Sequence, residues 1–357
     1  MNETLPQHDR VAWIDTAKLV GIYLVILGHL PLADANGEQS FLIRRIYSFH
    51  MPLFFFLSGL VEQPRPPKET LALSAKNLLV PYTCFYIVTY PWWLVVSFPR
   101  HPELFRRSVT DGFIRPMLGL LNACGFDTAY TTMTNVPLWF LIALFWCRLF
   151  SAVGNARSRL VKPVIAIVGV AISMMLWRAD RFLPCSFGAA GMAFPFYYAG
   201  TLLHKQTDSR SPLRLPLRLT LAAISFAVLV AATYHNGRVD MNGIGYGRHP
   251  MLFWLAATAG IVLVSTLCQL LPPLPPLGAL LAQNTVTIVA FHSICNSLVM
   301  KVYAICVLHT SRLGEDGMTA AAGAGIALLS LLMCVVPCCI IRRYAPWMLG
   351  KPRKTRR

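Results

Sequence analysis

The residues best placed to do chemistry lie in one apolar stretch near the start of the chain. Residues 10–29 read RVAWIDTAKLVGIYLVILGH, with Arg10, Asp15 and Lys18 at the beginning and His29 near the end. Ionisable side chains are costly in hydrocarbon, so in a membrane segment they face a bundle interior or a wet cavity, where they mark substrate paths and proton relays. An imidazole exchanges its proton near neutral pH and suits acid–base work. Lys18 and His29 are eleven residues apart, which on a helix is close to three whole turns and roughly 16 Å along the axis. Asp15 falls within roughly 40° of the same face. One stripe thus joins a charged mouth to a deep imidazole. The plainer alternative is that Arg10, Asp15 and Lys18 anchor the helix at an interface and His29 caps its far end.

A second group follows in Phe49-His50-Met51-Pro52-Leu53-Phe54-Phe55-Phe56-Leu57-Ser58-Gly59. His50 stands just before a proline suited to the first turn of a helix, and Ser58-Gly59 allows close helix approach. Taken alone, this stretch also fits an aromatic interfacial belt.

The elements that must position these residues are membrane helices. The chain has 357 residues, 55% of them hydrophobic and 13% charged, against about 25% charged in soluble domains. The pattern predicts an all-α, polytopic membrane protein of about ten transmembrane helices, near 13–32, 46–62, 78–98, 136–153, 161–177, 187–203, 216–234, 250–271, 284–308 and 319–341. The short apolar stretch 112–124 reads as a partly buried or re-entrant piece of a long outer loop. Lys and Arg concentrate in the segments that are internal when both termini are cytoplasmic. Residues 1–345 form one integral membrane domain, and 346–357, ending KPRKTRR, a basic cytoplasmic tail.

The net charge of +17 follows from that topology and not from a nucleic-acid partner. The first apolar run carries Asp15 and Lys18 and lacks a small-residue cleavage site, so it reads as a retained span. The ten cysteines show no paired metal-ligand spacing and no CxxC, so no metal is expected.

The order R…WID..K…H followed by SFHMPLFFFLSG resembles the integral membrane acyltransferase type 3 family, and within it the fucose 4-O-acetylase-like branch. Arg10, Asp15 and His29 fall on the family's first-helix motif, with Lys18 where many members carry Arg. Ser58 and Gly59 fall on the FF.LSG motif. Lys76 with Pro81 resembles a basic stretch before the third span; one basic residue remains there. Pro137-Leu138-Trp139-Phe140, Phe194–Gly200, and Asn284-Thr285 with His292 resemble later motifs. The resemblance implies a multi-pass protein of the inner membrane that moves an acyl group, usually acetyl from acetyl-CoA, to a sugar hydroxyl of a cell-surface polysaccharide or lipid-linked glycan.

Beside that resemblance, the residues divide by chemistry. O-acetylation needs a base for the hydroxyl, stabilisation of the oxyanion and a hold on the thioester. His29 is the expected base. Asp15, too far along the helix to orient it, takes a structural or gating role, paired with Arg10 or Lys18. Arg10, Lys18 and Lys76 are expected at the phosphorylated head of acetyl-CoA, whose arm is about as long as the Lys18–His29 separation. His50 is a second acid–base or acceptor group, or else a structural histidine. Ser58, His292, Asn284 and Trp139 are the remaining substrate-side expectations, and Asp240 and Asn242 offer contacts to an acceptor sugar from the loop HNGRVDMNGIGYG. Two other functions use the same features: a secondary transporter of a small polar solute, and a non-catalytic scaffold of the same fold.

Overall fold

In the computed structural model, residues 11–32, 40–124, 131, 133–204, 214–307 and 318–351 are described. Arg10 and the tail beyond Lys351 lie outside them. Among the described residues the structure is helical throughout, with no strand beyond the isolated bridge between Asp240 and Gly245.

The chain opens with α1 (Ala12–Gly28) and α2 (Phe41–Leu60). A short helix α3 (Pro67–Ser74) runs through a π-turn at Ala75–Leu79 into α4 (Val80–Arg100). Two small helices follow, α5 (Pro102–Arg107) and α6 (Arg115–Asn122). Then come α7 (Trp139–Asn155), α8 (Val161–Ala179), α9 (Phe187–Leu203), α10 (Leu215–Asn236) and α11 (Pro250–Cys268). Asn284 breaks the next segment into α12 (Pro276–Gln283) and α13 (Thr285–Cys306), and Cys334 divides α14 (Ala320–Met333) from α15 (Val335–Tyr344).

Among the described residues seven helical segments are long and apolar enough to cross a membrane: Pro67–Arg100, Val136–Asn155, Val161–Ala179, Leu215–Asn236, Pro250–Cys268, Thr285–Cys306 and Ala320–Tyr344. The difference from the ten expected lies in α1, α2 and α9. Helices α1 and α9 have 17 residues each, roughly 25 Å of rise. Helix α2 carries Arg44, Arg45, Ser48 and His50 among its apolar residues. All three pack against several neighbours, with α2 against α1, α9 and α11. A helix lined by protein can hold polar groups that a lipid-facing one cannot. At the periphery, α8 and α10 expose Val164, Ile167, Met175, Ile224 and Phe226.

Helix α2 starts earlier than its apolar pattern suggests. Ser40 caps it by accepting from the Ile43 amide at 3.4 Å, so Pro52 sits inside the helix and does not open it. Glycines set its packing distance. A Cβ on Gly59 would lie 1.9 Å from the Tyr197 carbonyl oxygen, and one on Gly200 would lie 2.2 Å from that of Phe56. The backbones of α2 and α9 therefore touch, as small residues permit in membrane bundles.

The 112–124 stretch is not a separate span. Tyr82, Tyr86 and Tyr90, one turn apart on α4, donate to the carbonyls of Leu120, Pro116 and Phe113 respectively. The reversed order lays this stretch antiparallel along α4. At the other end of the chain the turn Pro346–Leu349 packs on the π-turn: a Cβ on Gly350 would lie 2.3 Å from the Lys76 carbonyl oxygen.

Candidate active site

The site assembles where α1, α2, the start of α7, the loop after α10 and the start of α13 meet. These elements wall a pocket of about 780 Å³, its mouth included. His29, Tyr47 and His50 line one side. Trp139 and Phe140 line another, and Asp240 and Asn242 reach in from the loop. The remaining wall is mostly apolar, with Val25, Phe54, Val286 and Val289.

His29 is the C-cap residue of α1, so it leaves the helix in the last turn, where the backbone carbonyls run out of intrahelical partners. Its Nδ1 lies 2.7 Å from the Val25 carbonyl oxygen. His50 repeats the arrangement in mid-helix, with Nδ1 2.8 Å from the Ile46 carbonyl oxygen, and His292 places Nδ1 2.9 Å from that of Val289. A carbonyl only accepts, so Nδ1 carries the proton in each ring and Nε2 is the basic nitrogen. Three imidazoles are thereby locked by their own helices in one tautomer. His29 is open to the pocket, while His50 and His292 are 3% and 0% exposed.

The rings form a chain of contacts. His29 meets His292 edge-on with centroids 4.9 Å apart. Tyr47 lies between the other two, with its centroid 6.2 Å from that of His29 and 5.1 Å from that of His50. Asp240 is near enough to act electrostatically on both His29 and Tyr47. Behind the pocket, Asn296 donates from Nδ2 to the Ile26 carbonyl at 3.1 Å, and Asn135 bridges the Thr89 hydroxyl and the Ala290 carbonyl. These bonds pin α13 against α1 and α4. The Nε2 of His292 has no hydrogen-bond partner among the described residues. Nowhere among those residues do three His, Cys, Asp or Glu side chains gather as metal ligands.

Of the residues expected from the sequence, His29, His50 and Trp139 line this pocket, and His292 packs directly behind His29. Asn284 does not line it: its Nδ2 turns back to the Leu280 carbonyl at 2.6 Å, and the next residue, Thr285, reaches the pocket. Ser58 lies eight residues beyond His50, roughly 12 Å along α2, and is also outside the lining. Asp15 and Lys18 form an ion pair of 3.2 Å. Neither Lys18 nor Lys76 lines the pocket, which on α1 ends at Val25; Ile22, between Val25 and Lys18, is fully buried. Lys76 is exposed in the π-turn. Arg10 falls outside the described residues. Tyr47 was missed from sequence, although its spacing of three from His50 puts the two on one helix face.

A basic nitrogen held in a pocket with aromatic walls and a nearby carboxylate can take a proton from a bound hydroxyl. Comparison with curated proteins and with solved structures returned no match. The acyltransferase domain family Acyl_transf_3 matches residues 11–343, nearly the whole chain. The chain therefore belongs to this family of membrane acyltransferases.

Proposed function

We propose that the protein is an O-acetyltransferase of the inner membrane, moving acetyl from acetyl-CoA to a hydroxyl of a sugar in a cell-surface or lipid-linked glycan, in the manner of the fucose 4-O-acetylase-like branch. The observation that carries the reading is the Nε2 of His29. It is fixed as a base by the Val25 carbonyl, opens on the pocket and is backed by Tyr47, His50 and His292.

In this mechanism His29 Nε2 accepts the proton of the acceptor hydroxyl as its oxygen attacks the thioester carbonyl. The tetrahedral intermediate collapses with cleavage of the C–S bond, and the imidazolium returns the proton to the departing thiolate. Proton transfer by a positioned side chain contributes typically 10²–10⁴-fold. The Tyr47 hydroxyl is the donor nearest to steady the oxyanion, and His50, whose Nε2 can only accept, is a contact for an acceptor hydroxyl. His292 supports the imidazolium from behind, and Trp139 offers a flat face to the sugar ring.

The donor's phosphates are met by Arg10, Lys18 and Lys76, with Asp15 holding Lys18 until the head arrives. This assignment needs the pocket to extend below Val25 when the donor binds. Ten spans with cytoplasmic termini would bring that mouth to the donor's side of the membrane, counting α1, α2 and α9 with the seven segments named above. The test is thiol release in membranes given acetyl-CoA, with and without surface glycan stripped of its esters. Glycan-dependent release with ester formation supports the reading. Solute uptake into vesicles without thiol release would make the protein a transporter, and neither activity would leave a scaffold.

A further inference from the structure

The loop joining α10 to α11 is folded around one side chain. Asn236 donates from Nδ2 to the Tyr246 carbonyl at 3.0 Å and accepts at Oδ1 from the His249 amide at 2.8 Å. Its own carbonyl accepts from the Arg248 amide at 2.8 Å. Gly247, at φ +79°, presses on that amide, where a Cβ would lie 2.4 Å from Nδ2. Within this clamp Asp240 and Gly245 exchange two backbone hydrogen bonds of 2.8 Å, and Asp240 Oδ1 accepts from the Gly243 amide at 3.1 Å. Val239, Met241, Ile244 and Tyr246 are buried beneath it. The loop thus holds its shape through its own bonds.

What it presents to the pocket is a carboxylate and an unpaired side-chain amide. Asn242 lines the pocket at 7% exposure, and its Oδ1 has no hydrogen-bond partner among the described residues. That oxygen is occluded and the amide's Nδ2 bonds nothing among the described residues either, so rotation of the amide brings one end or the other to a ligand hydroxyl, which can donate or accept. Asp240 commits Oδ1 to the turn, and the turn makes no use of its other oxygen. The Nε2 of His29 is a further acceptor. Among the described residues no Lys or Arg lines the pocket; Arg238 is near enough to act on Tyr47 but stands outside the lining.

We propose that this loop reads the acceptor. It takes a neutral sugar ring whose hydroxyls beside the acylated one donate to Asp240 and bond the Asn242 amide, and it discriminates against a ring bearing a carboxylate or phosphate there. An anion would face the Asp240 carboxylate with no cation in the lining, a repulsive element of the kind that specificity needs. The inference rests on the acyltransferase reading, which could hold while this one fails.

The experiment uses membranes from the native organism, acetyl-CoA labelled in the acetyl group, and the organism's own surface glycan after mild-base removal of esters. NMR of the wild-type product locates the new ester. Placement on a neutral residue with a free neighbouring hydroxyl is expected, and placement on an acidic residue overturns the proposal. In parallel, Asn242→Ala is expected to raise the glycan KM roughly threefold to tenfold, and Asp240→Asn about tenfold or more, from the loss of neutral and charged hydrogen bonds respectively. In both, kcat falls far less. Asn242→Asp, which keeps an oxygen in place, should recover most of the loss. Unchanged KM in both Asn242→Ala and Asp240→Asn, or a fall confined to kcat, also overturns it. Absence of glycan-dependent thiol release by the wild type would sink the parent reading instead, and this inference with it.

Discussion

His29 and His292 meet edge to face, with ring centroids 4.9 Å apart, although 263 residues separate them in the chain. Only His29 opens on the pocket; His292 is fully buried with Nε2 unpartnered among the described residues. The pair divides into a ring that can touch substrate and one that can act only through its neighbour.

That division sets a first expectation. His29→Ala should lower turnover by about 10²–10⁴-fold, the usual worth of a general base, with acetyl-CoA binding kept. Lys18→Ala should instead weaken acetyl-CoA binding by several-fold. Single-turnover kinetics with equilibrium binding of labelled acetyl-CoA separates the two. Equal loss of binding in both variants would contradict this assignment of roles.

His292→Leu should move stability and activity in opposite directions. It removes the buried Nε2, which has no partner among the described residues, together with the Nδ1 bond to the Val289 carbonyl, an acceptor inside α13 that keeps its place in the helix ladder, so the net change is near neutral or stabilising. Thermal unfolding in detergent is expected at the same or a higher Tm, with turnover reduced by about tenfold at unchanged acceptor KM. A purely structural His292 would show no such split.

Tyr47→Phe keeps the ring contacts with His29 and His50 and deletes only the hydroxyl. If that hydroxyl steadies the oxyanion, kcat falls by roughly a hundredfold to a thousandfold with both KM values nearly unchanged, in line with the loss of a single oxyanion donor. Full activity would reduce Tyr47 to packing.

The contact between α2 and α9 gives a stability test with an internal control. Gly59→Ala or Gly200→Ala would drive a methyl group into a backbone carbonyl of the opposing helix. Overpacking of this kind costs about 1–3 kcal/mol, occasionally more, so a fall in Tm or loss of folded protein in detergent is expected. Gly325, with nothing within 4 Å of its Cβ position, should accept Ala silently.

How much of this was readable in advance depends on the range over which each feature is determined. Helix type and apolar run length are local, and they gave α4, α7, α8, α10, α11, α13 and the α14–α15 segment. Helical spacing puts His29 and Lys18 on one face in expectation; the pocket that His29 opens on ends at Val25, short of Lys18. The shorter α1 and α9 and the Arg-bearing α2 sit among other helices, where hydropathy alone does not define a span. Ser58 belongs to a recognisable sequence pattern, but no local rule says which part of α2 reaches the pocket. Asn284 read as a site residue because Asn284-Thr285 with His292 resembles a family motif; its side chain instead ends a helix by donating to the Leu280 carbonyl. The proximity of His29 to His292, and of Tyr47 to Asp240, arises from the packing of distant segments, which a single sequence does not report.

The seam at Gly59 and Gly200 bears on how substrates enter. Two helices joined carbonyl to backbone cannot slide or rock against each other without prising apart main-chain atoms, so α2 and α9 travel as one plank. The His50 wall of the chamber is fixed to that plank. Admission and release therefore cannot draw on movement between α2 and α9.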